Sequence, residues 1–65
     1  MKLSVNGEAR ELQADNLEAL LAQLDYSGNW LATAVNGELV RAPDRPHCQL
    51  KEGDRVEIVS PRQGG

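Results

Sequence analysis

Sixty-five residues make one domain, and a chain of this length buries only about 60% of its unfolded surface, leaving no room for both a core and an enclosed substrate cleft. Ten acidic against seven basic residues give a formal charge of -3, which argues against a nucleic-acid footprint and favours a reactant or adaptor with a basic or neutral protein partner. Cys48 is the only cysteine, so no intrachain disulfide is possible, and no metal site is expected because Cys48 and His47 alone cannot assemble a zinc set.

Met1-Lys2 leads straight into strand-like sequence, with neither a signal-peptide stretch nor a membrane-spanning run, so the expected location is the cytoplasm, away from membranes. Met1, Leu3 and Val5 alternate with Lys2, Ser4 and Asn6 as a half-buried strand does. Asn6-Gly7 then predicts a type I′ hairpin turn, which needs φ > 0 at both positions. The return strand, Glu8 to Leu12, has only Ala9 and Leu12 as apolar residues, on opposite faces; it reads as an edge strand, either bulged or protected by charge. Asp15 or Asn16 caps a helix in which Leu17, Leu20, Leu21 and Leu24 form one stripe, with Glu18, Gln23 and Asp25 facing solvent. Gly28 suits a left-handed C-terminal cap, with Tyr26 and Trp30 flanking the exit. Leu31 to Val35, Asn36-Gly37 and Glu38 to Val40 repeat the hairpin signal. Arg41 to His47 carries Pro43 and Pro46 and reads as an irregular excursion over the surface. Cys48 to Leu50 returns as a short strand, Glu52-Gly53-Asp54 turns, and Arg55 to Val59 is the final strand. One leucine-faced helix among these strands gives an α+β domain with the helix across a single sheet.

Beyond residue 59 the pattern changes. Pro61 cannot donate to a continuing ladder, so residues 1–59 read as the folded domain and 60–65 as a flexible tail. Six extended residues from Ser60 reach about 20 Å. Gly64-Gly65 is the thinnest thread a polypeptide can offer an active site, and it leaves the terminal carbonyl open to attack. The same pair also reads as an ordinary frayed end.

Among the other conspicuous residues, Cys48 reads as a small buried hydrophobe rather than a sulfur relay, and His47 as a loop residue rather than a ligand or base. Trp30 is either an interface anchor or packing at the helix exit. Val59 points away from Val56 and Ile58; next to the tail, it either docks a partner or is covered by the second hairpin. Asp44 and Glu52 read as solvated charges.

The stretch Ala34-Val35-Asn36-Gly37-Glu38-Leu39-Val40, then Leu50 to Val59 with its Gly53-Asp54 pair, then Gln63-Gly64-Gly65 resembles the bacterial sulfur-carrier family of thiamine biosynthesis, within the ubiquitin-like superfamily. The resemblance covers the whole chain and departs from the family at Arg41 to His47, where the prolines sit later. It implies a β-grasp fold, a mixed sheet of four to five strands with one helix packed across one face. It implies that the chain is a protein co-substrate, not an enzyme. An E1-like adenylating enzyme uses ATP and magnesium to join the Gly65 carboxylate to AMP, a sulfur donor protein displaces AMP, and the resulting thiocarboxylate gives its sulfur to a thiazole synthase. Gly65 is then the reactive residue, Gly64 provides clearance, and Ser60, Pro61, Arg62 and Gln63 form the positioning tether beside Val59. The carrier itself binds no cofactor and is expected to be a monomer when free. Three other functions share this pattern: the small subunit of molybdopterin synthase, a modifier that forms isopeptide bonds, and a non-covalent β-grasp binding module.

Overall fold

The computed structural model describes residues 1–26 and 30–60. Leu3 and Val5 bury one face of strand β1 (Lys2–Val5), and the chain reverses into β2 (Glu8–Glu11) through Asn6 (φ 51°) and Gly7 (φ 84°). Both turn residues occupy the left-handed region that a type I′ turn demands. The second hairpin repeats this with β3 (Ala32–Val35), Asn36 (φ 53°), Gly37 (φ 86°) and β4 (Glu38–Val40). Strand β5 (Arg55–Val59) follows a tight turn in which Asp54 N–H donates to the Lys51 carbonyl at 3.1 Å and Gly53 takes φ 87°.

The five strands form one mixed sheet in the order β2-β1-β5-β3-β4. Strand β5 runs parallel to β1 and antiparallel to β3, so the last strand is the central one. Strand β2 lies at an edge with all four residues exposed, and its register with β1 is regular from Lys2↔Glu11 to Val5↔Glu8. Charge on Glu8, Arg10 and Glu11 therefore protects that edge, without a bulge.

Helix α1 (Leu17–Gln23) is capped by Asn16, whose Oδ1 accepts Ala19 N–H at 2.8 Å. Leu17, Leu20 and Leu21 are buried against Leu3, Val5, Val35, Val56 and Ile58 of the sheet, completing a core with Ala14, Leu31 and Leu50. The helix ends earlier than a Gly28 cap implies; Gly28 itself lies outside the described residues. Leu24 is the C-cap, and Asp25 holds the left-handed position at φ 65°. Tyr26 N–H reaches back to the Leu21 carbonyl at 2.9 Å and Asp25 N–H to Ala22 at 3.2 Å, the paired bonds of a Schellman motif.

Residues 41–47 are not irregular. Ala42–His47 forms a 3-10 helix, with Asp44 N–H donating to Arg41 at 2.8 Å and Cys48 N–H to Arg45 at 3.2 Å. Pro43 falls in the first turn, where its fixed φ suits the helix and its missing N–H is not needed. Arg45 is turned inward and only 4% exposed; Nε donates to Thr33 Oγ1 at 3.1 Å and Nη2 to the Leu31 carbonyl at 2.5 Å. Thr33 Oγ1 in turn donates to the Val40 carbonyl at 2.6 Å, so one cation ties the excursion to both strands of the second hairpin. Residues 48–50 make one bridge, Asn16↔Gln49, in place of the expected short strand, and the Cys48 carbonyl accepts Leu17 N–H at 2.9 Å. That bond satisfies a donor which the first turn of α1 leaves unpaired.

Both turn asparagines hold β5. Asn36 N–H donates to the Arg55 carbonyl at 2.7 Å while its Oδ1 accepts Arg55 N–H at 2.9 Å. At the other end, Asn6 N–H donates to Val56 O at 2.9 Å, and its side chain takes both backbone groups of Ile58, accepting N–H at 2.8 Å and donating to C=O at 3.1 Å. Asp54, 3% exposed, accepts Asn36 Nδ2 at 2.9 Å and Lys51 N–H at 2.9 Å. Glu52 is more than a solvated charge, since both its carboxylate oxygens accept Lys2 N–H, at 3.1 and 3.2 Å.

Two stability predictions follow from these contacts. Asp25→Gly relieves the left-handed strain of a branched residue and removes an acid from the negative end of α1; it should stabilise the chain by about 0.5–1 kcal/mol in urea unfolding. The Asp54 carboxyl is pushed up by burial, but the bonds from Asn36 and Lys51 N–H and the Lys51 ammonium outweigh this and hold it below the ordinary carboxylate range. A depressed folded pKa contributes stability above the unfolded value and loses it as pH falls. The stability gap between the native chain and Asp54→Asn should therefore be full at neutral pH and close as the pH drops below about 4. A gap that persists in acid would show that the charge on Asp54 is immaterial.

Candidate functional site

The site expected from the sequence begins where β5 leaves the sheet. Pro61, Arg62, Gln63, Gly64 and Gly65 lie outside the described residues, and the described geometry is that of Val59 and Ser60 at the end of β5. Ser60, assigned to the tether by its sequence, is packed instead: it is 9% exposed. With Val5, Asn6, Tyr26, Trp30 and Leu31 it lines an open recess at the C-terminal end of α1. Ser60 therefore packs with the folded body.

Val59 is 59% exposed, so the second hairpin does not cover it. The register Ala32↔Val59 and Ala34↔Leu39 sets these four residues on the sheet face opposite the helix, because Thr33, Val56 and Ile58 point into the core. Leu39 is 72% exposed. Among the described residues none packs over this face, and it also carries Glu57 and Arg55 of β5. Trp30, 58% exposed, borders the recess on the other side of the tail base. Exposed apolar groups of this size beside the departing strand suit a protein partner.

Cys48 is half-buried and packs on the core at the N-terminal end of α1, whereas Ser60 lies near the C-terminal end. Helix α1, seven residues and so about 10 Å long at 1.5 Å per residue, lies between these two ends. Burial and the charge of Asp54 push this thiol up, with Lys51 partly opposing. His47 is exposed at the end of the 3-10 helix. Among the described residues no three His, Cys, Asp or Glu side chains gather as a metal ion would require, and no helix is long and apolar enough to cross a membrane.

Three groups escaped the sequence reading. The second roles of Asn6 and Asn36 were hidden because Asn-Gly already explains itself as a turn, and the side-chain partner lies about 50 residues away for Asn6. Arg45 was hidden because a charged residue between two prolines reads as surface.

Comparison with known proteins bears on the whole chain. Residues 3–65 match the ThiS family. The sulfur carrier protein ThiS of Thermus thermophilus is 36% identical over 64 residues, covering 94% of this chain and 95% of that protein. A thiazole synthase of Paramagnetospirillum magneticum is 36% identical over 66 residues, but this chain spans only 20% of its length. The crystal structure of the thiamine biosynthesis protein (ThiS) from Geobacter metallireducens superposes with a TM-score of 0.81 at 28% identity, covering 91% of each chain. The fold is the β-grasp fold expected from the sequence.

The environment of Cys48 makes a direct prediction. A raised thiol has less thiolate, so alkylation of the folded chain at about pH 8 should be slower than that of the same chain unfolded in guanidinium. Equal or faster reaction of the folded chain would mark an activated cysteine and reopen its role in sulfur transfer.

Proposed function

This chain belongs to the ThiS family, and we propose that Gly65 is the residue on which it carries sulfur, as a thiocarboxylate. A sulfur carrier of thiamine biosynthesis is a reactant and not an enzyme, which is also what a chain too small for both a core and a cleft can be. The observation that supports Gly65 most is that the family match runs through residue 65 and so takes in Gly64-Gly65.

The chemistry needs an outside activator. An α-carboxylate with a pKa near about 3.5 is an anion at neutral pH and repels nucleophiles. One carboxylate oxygen attacks the α-phosphorus of ATP, pyrophosphate leaves, and an acyl adenylate forms. Hydrosulfide delivered by the donor protein then attacks the acyl carbon, the acyl–phosphate bond breaks with AMP as leaving group, and the S–H proton is lost to solvent, leaving C(=O)S⁻ on Gly65. ATP and magnesium belong to the adenylating enzyme, the sulfur comes from a donor protein, and the ATP-dependent exchange takes place in the cytoplasm. Gly64 gives the thread its clearance, and Pro61, Arg62 and Gln63 act as the tether. Val59 and Leu39 supply the apolar contact by which the body docks. The recipient is a thiazole synthase; similarity to part of one such enzyme supports this, since the two proteins share a common module.

Incubation with ATP, magnesium, a cognate adenylating enzyme and a sulfur donor should raise the intact mass by one oxygen-to-sulfur exchange, localised to Gly65 by fragmentation. Deleting Gly65 should abolish the exchange and leave the melting temperature unchanged. Val59→Asp and Leu39→Asp should each raise KM for the adenylating enzyme by about tenfold, the equivalent of about 1.4 kcal/mol of lost apolar contact. Sulfur found on Cys48 instead, or full conversion without Gly65, would refute the proposal.

A further inference from the structure

Both hairpins turn on a dipeptide that can deamidate without an enzyme, because glycine puts no side chain between the asparagine carboxamide and the backbone nitrogen that attacks it. At Asn36-Gly37 the Gly37 nitrogen bonds to Asn36 Cγ, the Cγ–Nδ2 bond breaks, and ammonia leaves with the amide proton. Water then opens the cyclic imide at either carbonyl, giving aspartate or, with the main chain routed through Cγ, isoaspartate. Nothing is oxidised or reduced, and water is the only co-reactant. A Cβ placed on Gly37 would meet no atom within 4 Å, so the turn stands open to that water.

The carboxamide, by contrast, is fully engaged. Asn36 Oδ1 accepts Arg55 N–H at 2.9 Å and Nδ2 donates to Asp54 Oδ1 at 2.9 Å, while Asn36 N–H donates to the Arg55 carbonyl at 2.7 Å. Ring closure makes Cγ tetrahedral and expels Nδ2, so the bond to Asp54 cannot survive it. We propose that Asn36-Gly37 is a latent deamidation site, held back by the grip of Asn36 on Asp54 and Arg55, and that conversion there prevents the grip from re-forming. Either product puts a carboxylate where a donor faced Asp54, whose own carboxylate is only 3% exposed. Two anions at that separation repel strongly. Of the other groups near Asp54, the Lys51 ammonium lies 3.8 Å from Oδ1 but is exposed to solvent, the Cys48 thiol brings no positive charge, and Arg55 offers its backbone N–H to a single acceptor. Isoaspartate also lengthens the main chain of a two-residue turn. Conversion is therefore one-way, and it records that the entry to the central strand has opened.

Asn6-Gly7 is the internal comparison. It has the same dipeptide and the same left-handed turn, but its recorded side-chain partners among the described residues are the neutral N–H and C=O of Ile58. Incubation in mildly alkaline labelled water, followed by peptide mass spectrometry, reads the exchange of NH2 for OH at each asparagine. A carboxyl methyltransferase selective for isoaspartate reads the rearranged product. In denaturant the two sites should convert at similar rates, and in the folded chain Asn36 should convert at least about tenfold more slowly than in denaturant, since only the opened fraction reacts. Asp54→Ala removes the acceptor of Nδ2 and should speed folded-state conversion at Asn36 by at least about threefold while Asn6 keeps its rate. Equal rates at Asn36 in the folded and denatured chains, or equal acceleration of both sites in Asp54→Ala, would overturn the inference. Should Asp54→Ala fail to fold, Asn36→Asp, which carries the product charge, tests the second half. One carboxyl of its Asp54 pair is raised above the unfolded value, so the cost is full at neutral pH and is lost as pH falls below about 4. Asn36→Asp should accordingly lower the urea midpoint more than Asn6→Asp at neutral pH, and the excess should vanish in acid. An equal loss in the two variants, or an excess that persists in acid, would show that Asp54 does not oppose the product.

Discussion

A strand in the middle of a sheet must find hydrogen-bond partners along both its edges, and in this chain the middle strand is β5, whose neighbours are too short to cover it. Strand β1 pairs with β5 only as far as Val56, and β3 pairs with it only from Val56 to Val59, so each flank has an end where the ladder runs out. The two Asn-Gly turns sit at those ends, and their carboxamides continue the ladder. This is why both hairpins use asparagine where glycine alone would make the turn. Replacement by another turn-former would keep the backbone path and leave buried or half-buried peptide groups on β5 unpaired, at about 1–3 kcal/mol for each group that water cannot reach.

The remaining architecture is arranged around that strand. Val56 and Ile58 point down to Leu17 and Leu20, the least exposed residues of the helix, while Asp54 ties the strand's entry to Asn36 and Lys51. The 3-10 helix then closes the side of the core beneath the second hairpin, with Arg45 spending its donors on a hydroxyl and a carbonyl. Its recorded partners among the described residues are neutral oxygens rather than a carboxylate. A guanidinium is weakly hydrated for a cation, which makes it the basic group best suited to such a place.

The elements that could be read from the sequence are those governed by local rules. The spacing of Leu17, Leu20, Leu21 and Leu24 depends only on helix geometry, and the Asn-Gly turns only on backbone sterics, so both were legible without a partner. The helix end was less so, since Asp25 in the left-handed position is a minority choice that the Tyr26–Leu21 bond makes tolerable. The 3-10 helix, the buried Arg45 and the grip of Asn6 on Ile58 depend on contacts between distant segments, which no local pattern encodes. Function was legible for a different reason. A protein that serves as a reactant needs no constellation of converging side chains, so the proposed chemistry rests on a short terminal motif and not on a pocket; the exposure of Val59 and Leu39 and the packing of Ser60 required the folded chain.

The parallel pairing of β1 with β5 joins residues 51 positions apart, Ser4 with Arg55. During synthesis the amino-terminal hairpin, the helix and the second hairpin therefore leave the ribosome before the strand that unites them, and none of them has a complete core until β5 has emerged. Chains interrupted before that point lack the centre of the sheet and are exposed to proteases as open fragments. The central strand is thus the last structural requirement of the fold, so a chain cut short before residue 59 cannot assemble the sheet that every other described element packs against.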